Sequence, residues 1–529
     1  MSVYDDRDDD EIEELAEQFM HDVDEGRPFL MSGDDYEDVI NYLLDIHEME
    51  YAEEAIKAAI KAYPDDAFFH LQHAKYHSMM MNFAEAQKKL EYVERHFEPL
   101  PELFVEKVLV SHALNKPIDA IGALNKALSM DERFPEAHLL LSQEYLIDQK
   151  LDKAVEHAVR AIQLDTLSAV DLNMMTMDFL PLLSPTKQIV TEFFLRLTEE
   201  FPMCATLWGG LGLTYMNSND FAHAIEAFQF QLSLDEENAV AYINLADAQF
   251  AAGDYTAAAR NYITAQEKSD MPHLPLQIGR CYFQLGDYDA AMASFLQLQK
   301  QDFMGNFATV DIVKTFKAQG KYDEARAFLR NMVKEDPQNM DALEELIYLL
   351  DPVKDNEEIR DICFMGMHNE DYPKYAFLHT FVVFCCDNGA YDLGIEVCAE
   401  YEDDPDLTTK VLYSTAALYL KKGHISRACE FLEEALMAAP EDCFADFEEL
   451  DPLFVDVPEV AQLLKIYCNT DIMDDDAPIK MDYLSKRKFR KKYSTSLSRW
   501  AFSRWEKIDT LTIVIGLSSL TFPFSLNLK

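Results

Sequence analysis

The sequence predicts an all-α fold of stacked antiparallel helix pairs, a solenoid. The prediction rests on helical spacing of apolar residues, on a recurrence every 33–34 positions and on a shortage of glycine. Trp208, Leu211, Gly212 and Tyr215 lie at i, i+3, i+4 and i+7, one face of a helix. Ala224 and Phe228 lie at i and i+4 on a second helix, after the short link Asn217-Ser218-Asn219-Asp220. The 16 glycines in 529 residues are about 3% against a usual ~7%, which argues against a β-rich or dinucleotide-binding chain.

The recurrence orders the rest of the chain. Ala52, Ala86, Ala120 and Ala154 follow one another at intervals of 34, which sets units beginning near 33, 67, 101, 135 and 169. The Trp208 unit comes next. Then follow Tyr242, Leu245 and Ala246 with Gly253-Asp254-Tyr255, and Ile278, Gly279 and Tyr282 with Gly286-Asp287-Tyr288, Ala291 and Phe295. Ile312 and Phe316 with Gly320-Lys321-Tyr322 continue the series, and Gly389 and Gly423 are again 34 apart. Pro64, Pro202, Pro337 and Pro440 mark ends of second helices. Twelve units fit residues 33–442; the pattern is weak in 169–204, with Pro181 and Pro185, and in 340–374, with Pro352. A lone hairpin of this length cannot bury its apolar stripes, so neighbours must stack, and small residues such as Gly212, Ala246, Gly279 and Ala416 admit close helix approach.

The run from Leu207 to Phe228 resembles the tetratricopeptide (TPR) pattern W-x2-L-G-x2-Y followed by A-x3-F. The resemblance implies a TPR α-solenoid coiled into a right-handed superhelix. Trp208, Leu211, Gly212, Tyr215, Ala224, Phe228, Gly279, Tyr282 and Ala291 then define the repeat core. It further implies that first helices line a concave groove that takes an extended or helical peptide. By that resemblance the groove positions are Lys75, Arg280, Phe283, Phe307, Lys314, Lys317, Lys410, Tyr413 and Lys421. Arg280, Lys314 and Lys317 come from adjacent units and form a basic strip, which either meets an anionic or carboxylate-terminated peptide or pairs with neighbouring acids. The Lys/Asn carboxylate clamp of TPR co-chaperones is not reproduced.

Charge and chemistry narrow the function. The 46 Lys+Arg against 96 Asp+Glu give a net charge of −50, and such a body lacks the clustered cations that nucleic acid requires. Gly209-Gly210-Leu211-Gly212 has no following Gly-Lys-Ser/Thr and sits within a helix, so it is no phosphate loop. His70, His73 and His77 share a helical face that could present a metal, yet they occupy the positions of Trp208, Leu211 and Tyr215, which reads as packing. The nine cysteines, with no CxxC, fit free thiols in a reducing cytoplasm; Cys385-Cys386 reads as two packed thiols. No catalytic arrangement, cofactor or metal is expected.

The ends differ from the body. Residues 1–32 form an acidic N-terminal segment in which 11–23 could be a short helix, and 443–479 form a capping helix and an acidic linker. Residues 480–529 carry a net +8, interleave Trp500 and Trp505 with cations, and end in an uncharged apolar stretch whose alternation is strand-like. This tail is expected to be disordered or irregular. The whole reads as a cytoplasmic, non-enzymatic scaffold that binds a protein or peptide partner in its groove. The alternative is a membrane-associated adaptor anchored peripherally through the basic tail, and residues 480–529 could contact either a membrane surface or an acidic partner.

Overall fold

The computed structural model describes residues 9–467 apart from 28, 30, 180–186, 270, 301–304, 370–371, 405–406, 440–449 and 451–453. The acidic linker and basic tail expected beyond residue 467 lie outside the described residues, as does Pro440. Among the described residues there are helices and turns and no strand. They fall into two compact units that meet in sequence at residues 270 and 271.

The first unit opens with α1 (Asp9–Asp24) and continues as seven helix pairs. These are α2 (Gly33–Asp45) with α3 (Met49–Ala62), α4 (Ala67–Met79) with α5 (Phe83–His96), and α6 (Pro101–Ala113) with α7 (Ala120–Met130). Then come α8 (Pro135–Ile147) with α9 (Leu151–Leu164), α10 (Ser168–Phe179) with α11 (Lys187–Glu200), α12 (Ala205–Asn217) with α13 (Phe221–Leu234), and α14 (Ala239–Ala252) with α15 (Tyr255–Lys268). The first helix of each pair also packs on the first helix of the next, as α4 does on α6 and α6 on α8. First helices are therefore touched from more sides than second helices.

The second unit holds five pairs: α16 (Leu274–Gln284) with α17 (Tyr288–Gln299), α18 (Thr309–Ala318) with α19 (Tyr322–Glu335), α20 (Met340–Ile347) with α21 (Asn356–Met367), α22 (Lys374–Asp387) with α23 (Tyr391–Glu400), and α24 (Thr408–Lys421) with α25 (Ile425–Ala438). Helix α26 (Pro458–Tyr467) packs on α25 through buried Val460, Ala461 and Leu464. In the 340–374 stretch the first helix is cut to eight residues, and the Asp351 carboxylate accepts from the Val353 and Lys354 amides to form a turn around Pro352.

One turn closes nearly every pair. The residue after the first helix's cap, or in α14 the cap Gly253 itself, is left-handed, at φ 51–62° for His47, Met81, Asn115, Gln149 and Asn219 and φ 69–87° for Gly253, Gly286, Gly320, Gly389 and Gly423. The amides that follow turn back onto the helix end: Met81 donates to the Ser78 carbonyl at 2.9 Å and Asn82 to His77 at 2.8 Å. Gly286 and Asp287 do the same to Phe283 and Tyr282, each at 3.0 Å. This is the Schellman ending, which satisfies orphan carbonyls and frees the next residue to cap a new helix. Asp220, Asp254 and Asp287 do so by accepting from His223, Ala257 and Ala290 amides. In the first five of these turns the left-handed site is filled without glycine, so the glycine spacing could not reveal them.

Close approach within pairs is set by small residues facing rings. A Cβ on Gly212 would stand 2.4 Å from Cε1 of Phe228, and one on Gly279 2.4 Å from Cε1 of Phe295. Leu211, Ala224, Phe228 and Ala291 are buried, whereas Trp208, Tyr215 and Tyr282 are only half-buried. Trp208 is thus not enclosed: it lies against Phe230, with ring centroids 4.2 Å apart, and donates from Nε1 to the Pro202 carbonyl at 2.9 Å. The acidic start of the chain is also more ordered than its composition implies. Helix α1 buries Ala16 and Phe19 completely, and Tyr51 donates to its Asp24 at 2.9 Å.

Candidate functional site

Polar residues on several first helices reach from repeat to repeat. In the second unit Arg280 of α16 donates from Nε and Nη2 to Asp311 Oδ2 of α18, each at 3.0 Å. Lys317 of α18 donates to Glu345 Oε2 of α20 at 2.7 Å. Both acids are about 15% exposed and both cations about a third. The expected basic strip is therefore largely neutralised within the chain, by acids roughly one repeat further on. Lys314 is half-buried and makes no ion pair or side-chain hydrogen bond among the described residues.

The remaining groove positions are dispersed. Lys75 and Lys421 are exposed, and Phe283, Phe307 and Lys410 are half-buried; Phe283 lies 5.5 Å from Tyr288 between ring centroids. Tyr413 does not belong to a groove. It is fully buried and donates from its hydroxyl to the Ala439 carbonyl at 2.7 Å, at the end of α25. Helix α24 is buried at every position from Val411 to Leu418 because helices pack around it on several sides. Helical periodicity there cannot separate groove from core.

The first unit has the opposite sign. Glu37 of α2, Glu102 and Glu106 of α6 and Glu136 of α8 all stand on first helices. Crowding by protein holds Glu37 above the usual carboxylate range, and the charges of Asp38, Asp34, Asp66 and Glu102 raise it further. Burial likewise raises Glu106, offset by Lys75 and by Ser78, whose hydroxyl is 3.4 Å from Oε2. Glu136 is raised by crowding and by Asp165 and Glu102, with Lys75 opposing. The sequence signal was present, since Glu102 and Glu136 are one repeat apart, but it was lost among 96 acids.

Histidine and cysteine clusters have structural partners. His70 sits 3.0 Å from the Pro64 carbonyl and packs on Phe97, while His73 and His77 stack with centroids 4.9 Å apart. Burial, with Lys89 and His77, lowers His73 to about 4. No group of three or more His, Cys, Asp or Glu among the described residues could hold a metal ion. Cys363, Cys385, Cys386 and Cys398 are free thiols, and burial pushes Cys363 and Cys398 up to about 12. Cys385 is raised as well, by burial first and then by its thiol neighbours. Such thiols are poor nucleophiles.

These features define, among the described residues, an all-helical repeat protein built of stacked helix pairs. Family profiles described as "Tetratricopeptide repeat" match residues 249–306, and 205–238 with 409–442. With the helix pairs and their turns in place, the chain is a tetratricopeptide-repeat protein. No curated protein sequence matches it. Among solved structures it is similar to YrrB, described as a TPR protein with an unusual peptide-binding site, at 18% identity over 42% of this chain and 97% of the other, TM-score 0.28. It is similar to yeast Tom70 at 14% identity over 87% and 100%, TM-score 0.32, and to Naa15/Naa10 bound to HypK-THB at 13% identity over 88% and 64%, TM-score 0.36. TM-scores this low do not extend to a shared arrangement of the whole array.

Proposed function

We propose that the chain is a cytoplasmic, non-enzymatic scaffold that holds a protein or peptide partner along the exposed face of its first helices. The observation that supports this reading most is the cross-repeat polar ladder. Gln72 of α4 reaches Asn41 of α2 at 3.4 Å, Arg280 reaches Asp311, and Lys317 reaches Glu345. Each link joins residues 28–31 apart in sequence and is partly buried. An elongated ligand could meet the same kind of group at each repeat, which suits an extended or helical peptide. Lys75, Lys314, Phe283 and Phe307 are the expected sites that remain candidates for direct contact; Arg280 and Lys317 would present paired rather than free charge. No described helix is long and apolar enough to cross a membrane.

Photo-crosslinking scanned through the full-length chain tests this. A benzophenone side chain at position 75 or 314, on first helices, should capture a discrete partner. The same probe at 88 or 330, on second helices, should not. Equal capture from both helix sets would contradict a groove.

A further inference from the structure

We propose that Asn388–Gly389, in the turn between α22 and α23, is a modification site at which the chain converts its own asparagine to isoaspartate. It is the only Asn-Gly pair in the sequence. Both residues are exposed, and a Cβ on Gly389, at φ 69°, would meet no atom within 4 Å, so the space beside its backbone is open. The hydrogen bonding of this turn also differs from that of its nine counterparts. In each of those the amide of the left-handed residue donates to the carbonyl three residues back, as Gly286 does to Phe283 and Gly423 to Leu420. Among the described residues the Gly389 amide makes no such bond. Only its neighbours are tied. Asn388 donates from N and from Nδ2 to the Phe384 carbonyl, at 3.1 and 2.9 Å, and Ala390 donates to the Cys385 carbonyl at 2.9 Å.

Cyclisation needs an exposed carboxamide followed by a free amide, because an amide already engaged as a donor must first give up that bond. Asn115 and Asn219 are exposed in the same kind of turn and fail on the second count. The amide after Asn115, on Lys116, donates to Ser111 at 2.8 Å, and the amide after Asn219, on Asp220, donates to Tyr215 at 2.9 Å. Asn388 stands at ψ 2° and must rotate before the atoms meet; a fraying helix end is where that rotation meets least resistance. The step uses water alone. Gly389 N loses its proton to solvent and bonds to Asn388 Cγ, the Cγ–Nδ2 bond breaks, and ammonia leaves carrying that proton. Water then opens the succinimide ring. Opening at the Asn388 backbone carbonyl leaves isoaspartate, and opening at Cγ leaves aspartate. Isoaspartate routes the main chain through the side-chain methylene, which moves Ala390 off the Cys385 carbonyl. It also sets a carboxylate at the end of α22, where the helix dipole is negative. The α22–α23 turn loosens as a result.

Peptide mapping by mass spectrometry of the full-length chain, aged at 37 °C and pH 7.4, tests this. Asn388 should convert at least tenfold faster than Asn115 or Asn219, with isoaspartate exceeding aspartate, and faster still at pH 8.5. A margin below tenfold would overturn the site. Unfolding in urea should accelerate Asn115 and Asn219 more than Asn388, since only their following amides are released from hydrogen bonds. A larger gain at Asn388 would mean that the folded turn protects it, and would overturn the structural argument. Hydrogen exchange reads the consequence. The aged chain should lose protection in α22–α23. Aged N388Q, whose longer side chain must close a larger ring, should keep it, as should fresh N388D, which carries the charge on an unaltered backbone. Equal loss in aged N388Q would place the change elsewhere in the chain, and equal loss in N388D would assign it to charge. Either result would overturn loosening by the inserted methylene.

Discussion

Gly212→Ala adds one methyl group in the middle of α12, where alanine is worth about 1 kcal/mol more than glycine as a helix former. The new Cβ would stand 2.4 Å from Phe228 Cε1 and 2.7 Å from its Cδ1 and Cζ. Phe228 is fully buried, so its ring has no free space to enter. Overpacking costs about 1–3 kcal/mol, and three ring atoms inside 3 Å place this site at the upper end, leaving a net loss of about 1–2 kcal/mol. Phe228→Leu alone should also destabilise, by roughly 1–2 kcal/mol, through the cavity it leaves. Combined, the two changes create the alanine–leucine pair that other repeats hold at Ala74 and Leu90 and at Ala416 and Leu432, all buried. The double variant should therefore be more stable than the sum of the singles by about 1–2 kcal/mol. Repeat arrays open locally, so the assay is native-state hydrogen exchange of amides in α12 and α13. Slower exchange in Gly212→Ala than in the parent, or strict additivity of the pair, would refute the packing argument.

Met81→Gly and Gln149→Gly should each stabilise their hairpin by about 0.5–1 kcal/mol, because relief of a left-handed residue is worth roughly 1–2 kcal/mol and glycine returns part of it as unfolded-state entropy. Unchanged or faster exchange in α4–α5 and α8–α9 would contradict that. Tyr413→Phe should cost about 1 kcal/mol by leaving the Ala439 carbonyl without its donor, with no effect on partner capture. The α8–α9 pair should weaken as pH falls below about 6.5. His138 accepts at Nδ1 from His157 Nδ1, 2.9 Å away, while its Nε2 donates to the Glu132 carbonyl, and burial depresses both imidazoles. With folded values below unfolded ones, the unfolded chain binds more protons and stability drops with acidification; His157→Gln should flatten that limb of the exchange profile.

The frame was legible where residue size does one job. Gly212 with Phe228 and Gly279 with Phe295 are small-against-large pairs sixteen residues apart, and that spacing is visible without coordinates. The turns were legible only where glycine marks them. His47, Met81, Asn115 and Gln149 adopt the same left-handed backbone, since Schellman hydrogen bonds and flanking helix packing outweigh the residue's own preference. Groove and core were hardest to separate. First helices have neighbours on several sides, so α24 is buried from Val411 to Leu418, polar Ser414 and Thr415 included, and Tyr413 reads like Lys410 from periodicity alone. Pairing was not readable either: Arg280 and Asp311 are 31 residues apart, and only stacking brings them together.

A hydrogen-exchange profile of the full-length chain tests the central claim most directly, namely that one hairpin of about 34 residues recurs whether or not glycine marks its turn. Protection should fall at residues 47, 81, 115, 149 and 219 as it does at 253, 286, 320, 389 and 423, with protected helices between. Continuous protection through 81 and 149, or a profile without that period in the first 220 residues, would contradict the account.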